Sequence, residues 1–235
     1  MRMIGMIGGL SWVSTAACYR RVNELTQERL GGVSSARLLL ASVNRQDYVD
    51  AVIGRGDEDA ACGIVLEAAR ALEAGGAGFV VICCNDVHRF VPRIAPLLSI
   101  PFLHIADAAA QAIRAAGLSR VALIGVRKTM EERFYPDRLA LHGIETVLPD
   151  EGERDYIHAS IYDELVKDVF RDETRARYVA LIRALYGRGA EGVVLGCTEI
   201  PLLVRQADVE VPLFDTTELH CRAAVAAAND PDWRF

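Results

Sequence analysis

Two segments of the chain nearly repeat each other. Residues 76–85 read GAGFVVICCN and residues 189–198 read GAEGVVLGCT, with one constant offset of 113 residues that places Cys84 on Cys197. Each segment is an apolar run that ends on a cysteine and then continues into a helical pattern. The repeat indicates two copies of one α/β unit. A chance match is the alternative, since apolar strands often end in this way.

The rest of the chain has the same alternation of apolar runs and helical spacing. Strands are predicted at 3–8, 37–43, 79–83, 101–105, 121–125, 145–147, 192–196 and 211–214. Helices are predicted at 14–29, 57–74, 87–97, 106–116, 133–141, 157–169, 173–186, 200–206 and 218–227. Continuous apolar strands are typical of parallel sheets that helices cover on both faces.

We therefore predict an α/β fold with two domains related by a pseudo-twofold axis, each a parallel sheet flanked by helices. The first domain is predicted to comprise residues 1–105 and 211–235, and the second residues 106–210. Ligands bind at the carboxyl ends of parallel strands. Two such units that face each other would bring Cys84 and Cys197 to one active site between the domains.

Composition excludes several classes of protein. Of the 235 residues, 51% are hydrophobic and 25% are charged, which is the balance of a globular protein and not of a disordered one. The net charge of −6 disfavours nucleic acid and anionic lipid as partners. No apolar stretch approaches the roughly 20 residues of a membrane span. With no secretion signal predicted, we expect a cytoplasmic protein whose six cysteines are reduced.

A pair of opposed cysteines suits the inversion of a carbon acid. A thiolate on one face removes the proton, and a thiol on the other face returns one. A helix that begins after each cysteine would lower the pKa of its thiol and attract a carboxylate ligand. A metal site would need clustered ligands at regular spacing, and the sequence shows too few around Cys84.

Five motifs resemble the aspartate/glutamate racemase family, most closely its aspartate racemase branch. They are GGLSWVST at 8–15, CNDVH at 84–88, TMEERFY at 129–135, IYDEL at 161–165 and GCTEIP at 196–201. They follow one another through nearly the whole chain. The resemblance implies two α/β domains, racemisation of an amino acid or a related carboxylate without a cofactor or metal, and commonly a homodimer.

Carried over residue by residue, the resemblance makes Cys84 and Cys197 the acid/base pair. Asn85 and Thr198 match positions that bind the substrate carboxylate in the family. The first loop of the cleft contributes Ser11 and Thr15.

Asp86 is the main departure from the family pattern, which usually has Thr at this position. An ionised Asp86 would repel an anionic substrate. The alternatives are that it turns away, caps the following helix, is protonated, or selects a substrate with a cationic group.

Three further residues keep two interpretations each. Arg45 pairs with a side-chain carboxylate of the substrate or is solvated. Glu199, where glutamate racemases usually carry His, assists proton transfer or caps a helix. His88 makes a structural hydrogen bond or acts in the site. The alternatives for the whole chain are a related enzyme on another carbon acid, such as a hydantoin racemase, a decarboxylase or an isomerase, or a binding protein without catalysis.

Overall fold

The computed structural model describes residues 1–233. The chain forms two compact units, one of residues 1–105 with the segment from His220 onwards, and one of residues 106–219. Among the described residues, no helix has the length and apolarity needed to cross a membrane.

The first unit is built on a three-stranded parallel sheet. Its strands are β1 (Ile4–Gly8), β2 (Leu38–Ser42) and β3 (Phe79–Ile82), in the order β2-β1-β3. The register sets Gly8 beside Ser42 and Ile7 beside Ile82, so all three strands end at one edge. The loops that follow these strands therefore leave from the same edge of the sheet.

Helical segments connect these strands. They are α1 (Trp12–Leu30), α2 (Arg45–Val49) with a π-helical turn (Asp50–Gly54), α3 (Glu58–Ala74), a 3₁₀ turn (Asp86–Phe90) and α4 (Val91–Ile94). The strand predicted at 101–105 contributes only one bridge, between Phe102 and Val80. It stays short because the next helix already begins at Ile105.

The sheet of the first unit has apolar packing on both faces. Ile4 and Met6 lie in one core cluster with Val22 of α1, whereas Ile7 lies in another with Val65 of α3. Successive side chains of a strand point to opposite faces, so the unbroken apolar run of β1 serves both clusters.

The second unit contains a four-stranded parallel sheet. Its strands are β4 (Arg120–Gly125), β5 (Glu145–Val147), β6 (Gly192–Gly196) and β7 (Leu213–Asp215), in the order β5-β4-β6-β7. Both sheets are thus parallel and flanked by helices, which confirms the predicted α/β class. Residues 211–219, which we predicted in the first domain, group here with the second unit, because β7 pairs with β6.

The helices of the second half are α5 (Ile105–Ala115), α6 (Arg127–Glu131), α7 (Phe134–Ala140), α8 (Glu151–Asp163), α9 (Asp172–Gly187) and α10 (Ile200–Leu203). The prediction of a helix at 157–169 is displaced, because α8 begins after a capping box in which Asp150 and Glu153 satisfy each other's backbone N–H groups. The chain then reverses at Asp168, which has a φ of 63°.

The last helix, α11 (Thr216–Asn229), returns the chain to the first unit. Its Cys221, Ala224 and Val225 pack in the same core cluster as Ile4 and Phe79. The backbone N–H of Arg2 donates to the carbonyl of Ala228 at 2.7 Å. The first unit is therefore assembled from both the beginning and the end of the described chain.

Candidate active site

Two adjacent cysteines end β3, and they point to opposite faces of the sheet. Cys83 is buried in the core cluster that contains Cys18 and Cys221. Cys84 is half-buried and packs against the other cluster, beside residues such as Phe90. The strand alternation thus leaves Cys84 as the accessible thiol of the pair.

The side chain of His88 forms a hydrogen bond with the backbone of Cys84. Its Nδ1 lies 2.8 Å from the carbonyl oxygen of Cys84. A carbonyl only accepts hydrogen bonds, so Nδ1 carries the proton and donates it. This is the structural hydrogen bond that the sequence offered as one interpretation of His88.

His88 belongs to a buried cluster of three histidines. Its ring centroid lies 4.7 Å from that of His104 and 5.6 Å from that of His220. Burial, reinforced by the two neighbouring imidazoles, lowers the pKa of His88 well below its usual value. Burial also lowers the pKa of His220, whose Nε2–H donates to the carbonyl of Leu103 at 2.8 Å. The imidazoles of His88 and His220, which support the turn that carries Cys84, are therefore neutral.

Asp86 turns its carboxylate towards other groups of the first unit. Its Oδ1 lies 2.7 Å from Nη1 of Arg89, and the hydroxyl of Tyr48 donates to its Oδ2 at 3.2 Å. Arg89 also donates to Glu58 at 2.9 Å. The carboxylate of Asp86 thus pairs with an adjacent guanidinium, which agrees with the alternative that it turns away from the substrate.

The loop after β1 is shaped by its own hydroxyl groups. Ser11 is the N-cap of α1 and accepts from the N–H of Ser14 at 3.4 Å. Thr15 donates to the carbonyl of Ser11 at 2.7 Å and accepts from the N–H of Gly9 at 3.0 Å. Gly9 has a φ of +87°, and a Cβ there would lie 2.0 Å from the carbonyl oxygen of Val43. Ser11 and Thr15 therefore have structural partners at the candidate site, besides the substrate role predicted for them.

Arg45 leaves from the same sheet edge. It is the first residue of α2, whose N-cap is Asn44, and it is half-buried. Tyr48 follows three residues later, and residues at this spacing are neighbours on a helix surface. Because Tyr48 contacts Asp86, the face of α2 that includes Arg45 lies on the side of the cysteine turn.

In the second unit, Cys197 follows β6 and is buried. Its thiol donates to Oε2 of Glu199 at 3.1 Å, and the hydroxyl of Thr198 donates to the same oxygen at 2.9 Å. Glu199 is only 2% exposed. Within the part of the chain that the structure describes, its Oε1 has no hydrogen-bond partner. Oε2 of Glu199 thus accepts hydrogen bonds from both polar side chains at this strand end, and Oε1 can accept another.

A tyrosine lies in the same core cluster as Cys197. The hydroxyl of Tyr178 lies 3.0 Å from Oγ of Ser160. Burial raises the pKa of Tyr178 far above its usual value, so the phenol stays protonated. The core cluster that contains Cys197 also includes aliphatic residues such as Ile200 and Leu203.

The structure therefore gathers the predicted residues into two sets. Cys84, Asn85 and Asp86 share one strand end of the first unit, and the loops carrying Ser11, Thr15 and Arg45 leave from the same sheet edge. Cys197, Thr198 and Glu199 share a strand end of the second unit. The meeting of the two sets at one cleft stays a prediction.

Sequence reasoning missed Tyr48, Glu58 and Arg89. The position of Arg89, three residues after Asp86, was the one local signal available. Between residues 1 and 233, no group of three or more side chains is arranged to hold a metal ion.

Comparison with known proteins agrees with the two-unit α/β fold. A family model described as Asp/Glu/Hydantoin racemase matches residues 7–224. A provisionally assigned Asp/Glu racemase from Yersinia pestis has 38% identity and a TM-score of 0.90, with 98% of this chain and 100% of that chain covered. An aspartate racemase homologue from Pyrococcus horikoshii has 30% identity and a TM-score of 0.85, with the same coverage of both chains.

A glutamate racemase from Thermus thermophilus is more distant. It is 28% identical over 161 residues, which are 65% of this chain. The match spans only 56% of that relative's own length.

Proposed function

The chain belongs to the Asp/Glu/Hydantoin racemase family, and from that premise we propose that it inverts the α-carbon of an amino acid without a cofactor. Cys84 and Cys197 are the proposed acid/base pair. The observation that carries this proposal is the hydrogen bond from the thiol of Cys197 to Glu199, at 3.1 Å. It presents one of the two repeat-related cysteines as a proton donor beside a buried carboxylate.

The proposed reaction is two proton transfers on opposite faces of the α-carbon. The thiolate of Cys84 takes the α-proton and becomes a thiol, and the bonding pair stays on the α-carbon. The thiol of Cys197 then gives its proton to the other face and becomes a thiolate. The reverse direction exchanges the two roles. The proposal requires that the two strand ends meet at a cleft between the domains.

The α-carboxylate of the substrate is the proposed ligand of Asn85 and Thr198. Negative charge that develops next to this carboxylate needs fixed donors that point at it. The amide of Asn85 supplies one donor. The hydroxyl of Thr198 donates to Glu199 in this structure, and we expect it to turn its proton to the substrate on binding.

The proposed role of Glu199 is to accept the hydrogen bond from the thiol of Cys197. No hydrogen bond from its side chain caps α10, which disfavours the alternative that it serves as a helix cap. The carboxylate of Glu199 accepts a hydrogen bond from the thiol of Cys197, two residues before it in the sequence. In this proposal, the bond orients the proton of the thiol. Its buried environment strengthens the hydrogen bond, because the local dielectric is low.

Arg45 is the proposed ligand of a side-chain carboxylate, which makes an acidic amino acid the expected substrate. Compensation of Asp86 by Arg89 supports this, because the first unit then offers an acidic substrate less repulsion at the cysteine turn. The homodimer and the cytoplasmic location stay predictions from the sequence.

The test is α-proton exchange in D₂O, followed by NMR, with L- and D-forms of acidic, neutral and basic amino acids. Wild type is compared with Cys84→Ala and Cys197→Ala, and Cys83→Ala serves as the control at the adjacent core cysteine. We expect exchange with inversion in wild type and in the control, and loss of inversion in either of the other variants. Inversion by Cys84→Ala would overturn the two-base assignment. An absence of exchange with every amino acid would overturn the amino-acid substrate and direct the search to hydantoins.

A further inference from the structure

The segment formed by α2 and the following π-helical turn has few buried side chains. Tyr48 and Ala51 are buried, whereas the other residues between 45 and 54 are half-buried or exposed. A π-helical turn is uncommon and is frequently found at functional sites. Tyr48 and Ala51 are therefore the side chains that anchor this segment in the core.

Tyr48 contacts the turn that carries Cys84. Its hydroxyl donates to Oδ2 of Asp86 at 3.2 Å. Burial, followed by the negative charge of Asp86, raises the pKa of Tyr48 far above its usual value. The phenol therefore keeps its proton and remains the donor of this hydrogen bond.

Arg89 fixes the other oxygen of Asp86. Its guanidinium lies 2.7 Å from Oδ1 of Asp86 and donates to Glu58 of α3 at 2.9 Å. Its side chain is only 6% exposed. Burial opposes the charge of Arg89, but Asp86, Tyr48 and Glu58 outweigh it, and the pKa of Arg89 is raised above its usual range. The network therefore carries a permanent buried cation with two carboxylate partners.

We propose, on the basis of the proposed function, that Asp86 is a positioning residue that determines specificity for the substrate side chain. Asp86 accepts a hydrogen bond from Tyr48 and so holds α2 against the turn that carries Cys84 and Asn85. Arg45 lies on α2, so its position is held as well. The distance between the proposed side-chain ligand and the proposed base is then fixed before the substrate arrives. Such preorganisation lowers the entropic cost of binding.

This role differs from the direct substrate contact that the sequence suggested for Asp86. Both of its oxygens have protein partners, and its side chain is 12% exposed. A carboxylate that pairs with a guanidinium at 2.7 Å attracts a cationic substrate less, and repels an anionic one less, than an unpaired carboxylate would.

The first experiment measures backbone amide exchange by mass spectrometry in the protein without substrate. Tyr48→Phe removes only the hydroxyl group, and Tyr19→Phe removes a hydroxyl from an exposed tyrosine on α1 as a matched control. We expect exchange across residues 45–54 to become roughly three- to tenfold faster in Tyr48→Phe, as for the loss of one hydrogen bond of ordinary net strength. Unchanged exchange in this segment would overturn the proposed fastening, whether or not the protein is active.

The second experiment compares KM and kcat for acidic and neutral amino acids. Tyr48→Phe and Asp86→Asn are tested against Asp59→Asn, which removes an exposed carboxylate that pairs with Arg93 on the surface. We expect KM for acidic substrates to rise roughly three- to tenfold, again as for one lost hydrogen bond. We expect kcat and the KM for neutral substrates to change less than about twofold.

The outcomes separate this inference from the proposed function. If wild type exchanges no amino acid, the proposed function fails, and amide exchange alone decides whether Asp86 fastens α2. A fall in kcat with an unchanged KM would overturn the inference, because Asp86 would then act at the reacting groups. Equal rises in KM for acidic and neutral substrates would also overturn it, because the effect would not concern the substrate side chain.

Discussion

The two strand ends that carry the cysteines have an acidic residue at the same place and use it differently. The offset of 113 residues between Cys84 and Cys197 also relates Asp86 to Glu199. Asp86 is compensated by Arg89, whereas Glu199 receives the thiol of Cys197 itself. Equivalent positions in a duplicated unit have thus diverged. The carboxylate of the first unit organises the protein, and that of the second unit is available to the proposed chemistry.

The titratable side chains near the two cysteines also differ in kind and in the direction of their pKa shifts. Three buried histidines support the turn of Cys84, and burial lowers the pKa of both His88 and His220. The cluster around Cys197 contains Tyr178, whose pKa is raised by burial. Acid-dependent behaviour is therefore expected from the histidine cluster of the first unit.

The largest expected effect is on kcat, and it distinguishes Glu199 from Asp86. Glu199→Gln removes the charge that receives the thiol of Cys197, and we expect kcat to fall roughly a hundredfold or more, as for a group that assists proton transfer. Asp86→Asn is expected to lower kcat less than about twofold, because its partners are Tyr48 and Arg89. Steady-state kinetics of racemisation measure both. Equal losses of kcat in the two variants would remove the proposed distinction between the strand ends.

The second expected effect is a loss of stability in acid. The pKa values of His88 and His220 are lower in the folded protein than in the unfolded chain, so below about pH 6.5 the unfolded chain binds more protons. Stability from this source is complete above that pH and is lost as the pH falls. By about pH 5.5 we expect a decrease in the free energy of unfolding of up to about 1.4 kcal/mol for each histidine.

Denaturant unfolding between about pH 7.5 and about pH 5.5 measures this decrease. His220→Gln keeps an amide that can donate to the carbonyl of Leu103, and His88→Asn keeps one that can donate to the carbonyl of Cys84. Neither replacement titrates in this range. Each variant should lose part of the pH dependence, and the double variant most of it. A double variant with the same pH dependence as wild type would show that the acid sensitivity comes from groups other than His88 and His220.

The smallest expected effect compares two helix caps. Ser11→Ala removes the cap of α1 at the candidate site, and Asp150→Ala removes the cap of α8. We expect each to lower the free energy of unfolding by about 1 kcal/mol. Only Ser11→Ala should also raise KM, if its hydroxyl meets the substrate as predicted. A stability loss with an unchanged KM would restrict Ser11 to the cap.

The fold was predictable where the pattern of apolar residues is strong. The runs at β1, β3, β4 and β6 are buried along their lengths apart from Arg120. Of these strands, β1, β4 and β6 have a neighbouring strand on both sides. The segment of α2 was not predicted, because the helix has only five residues and Tyr48 is its one buried side chain. The start of α8 was missed for a related reason, since its first turn is polar and only the capping box marks it.

The candidate site was predictable only in part. The motifs indicated Cys84 and Cys197, whereas the ion pair of Asp86 with Arg89 was missed although their spacing was a local signal for it. The contact of Tyr48 with Asp86 joins residues far apart in sequence, and no local pattern encodes it. The convergence of His88, His104 and His220 has the same origin, because three separate segments bring them together.

The return of α11 to the first unit has a consequence for the order of events during synthesis. His220, which supports the turn of Cys84 through His88, is translated only after the whole second unit. Domains fold as units during translation, usually from the N-terminus onwards. Here the second unit can complete its core while the first still lacks a helix. The environment of the Cys84 thiol is therefore completed on a nascent chain only after the second unit has been translated.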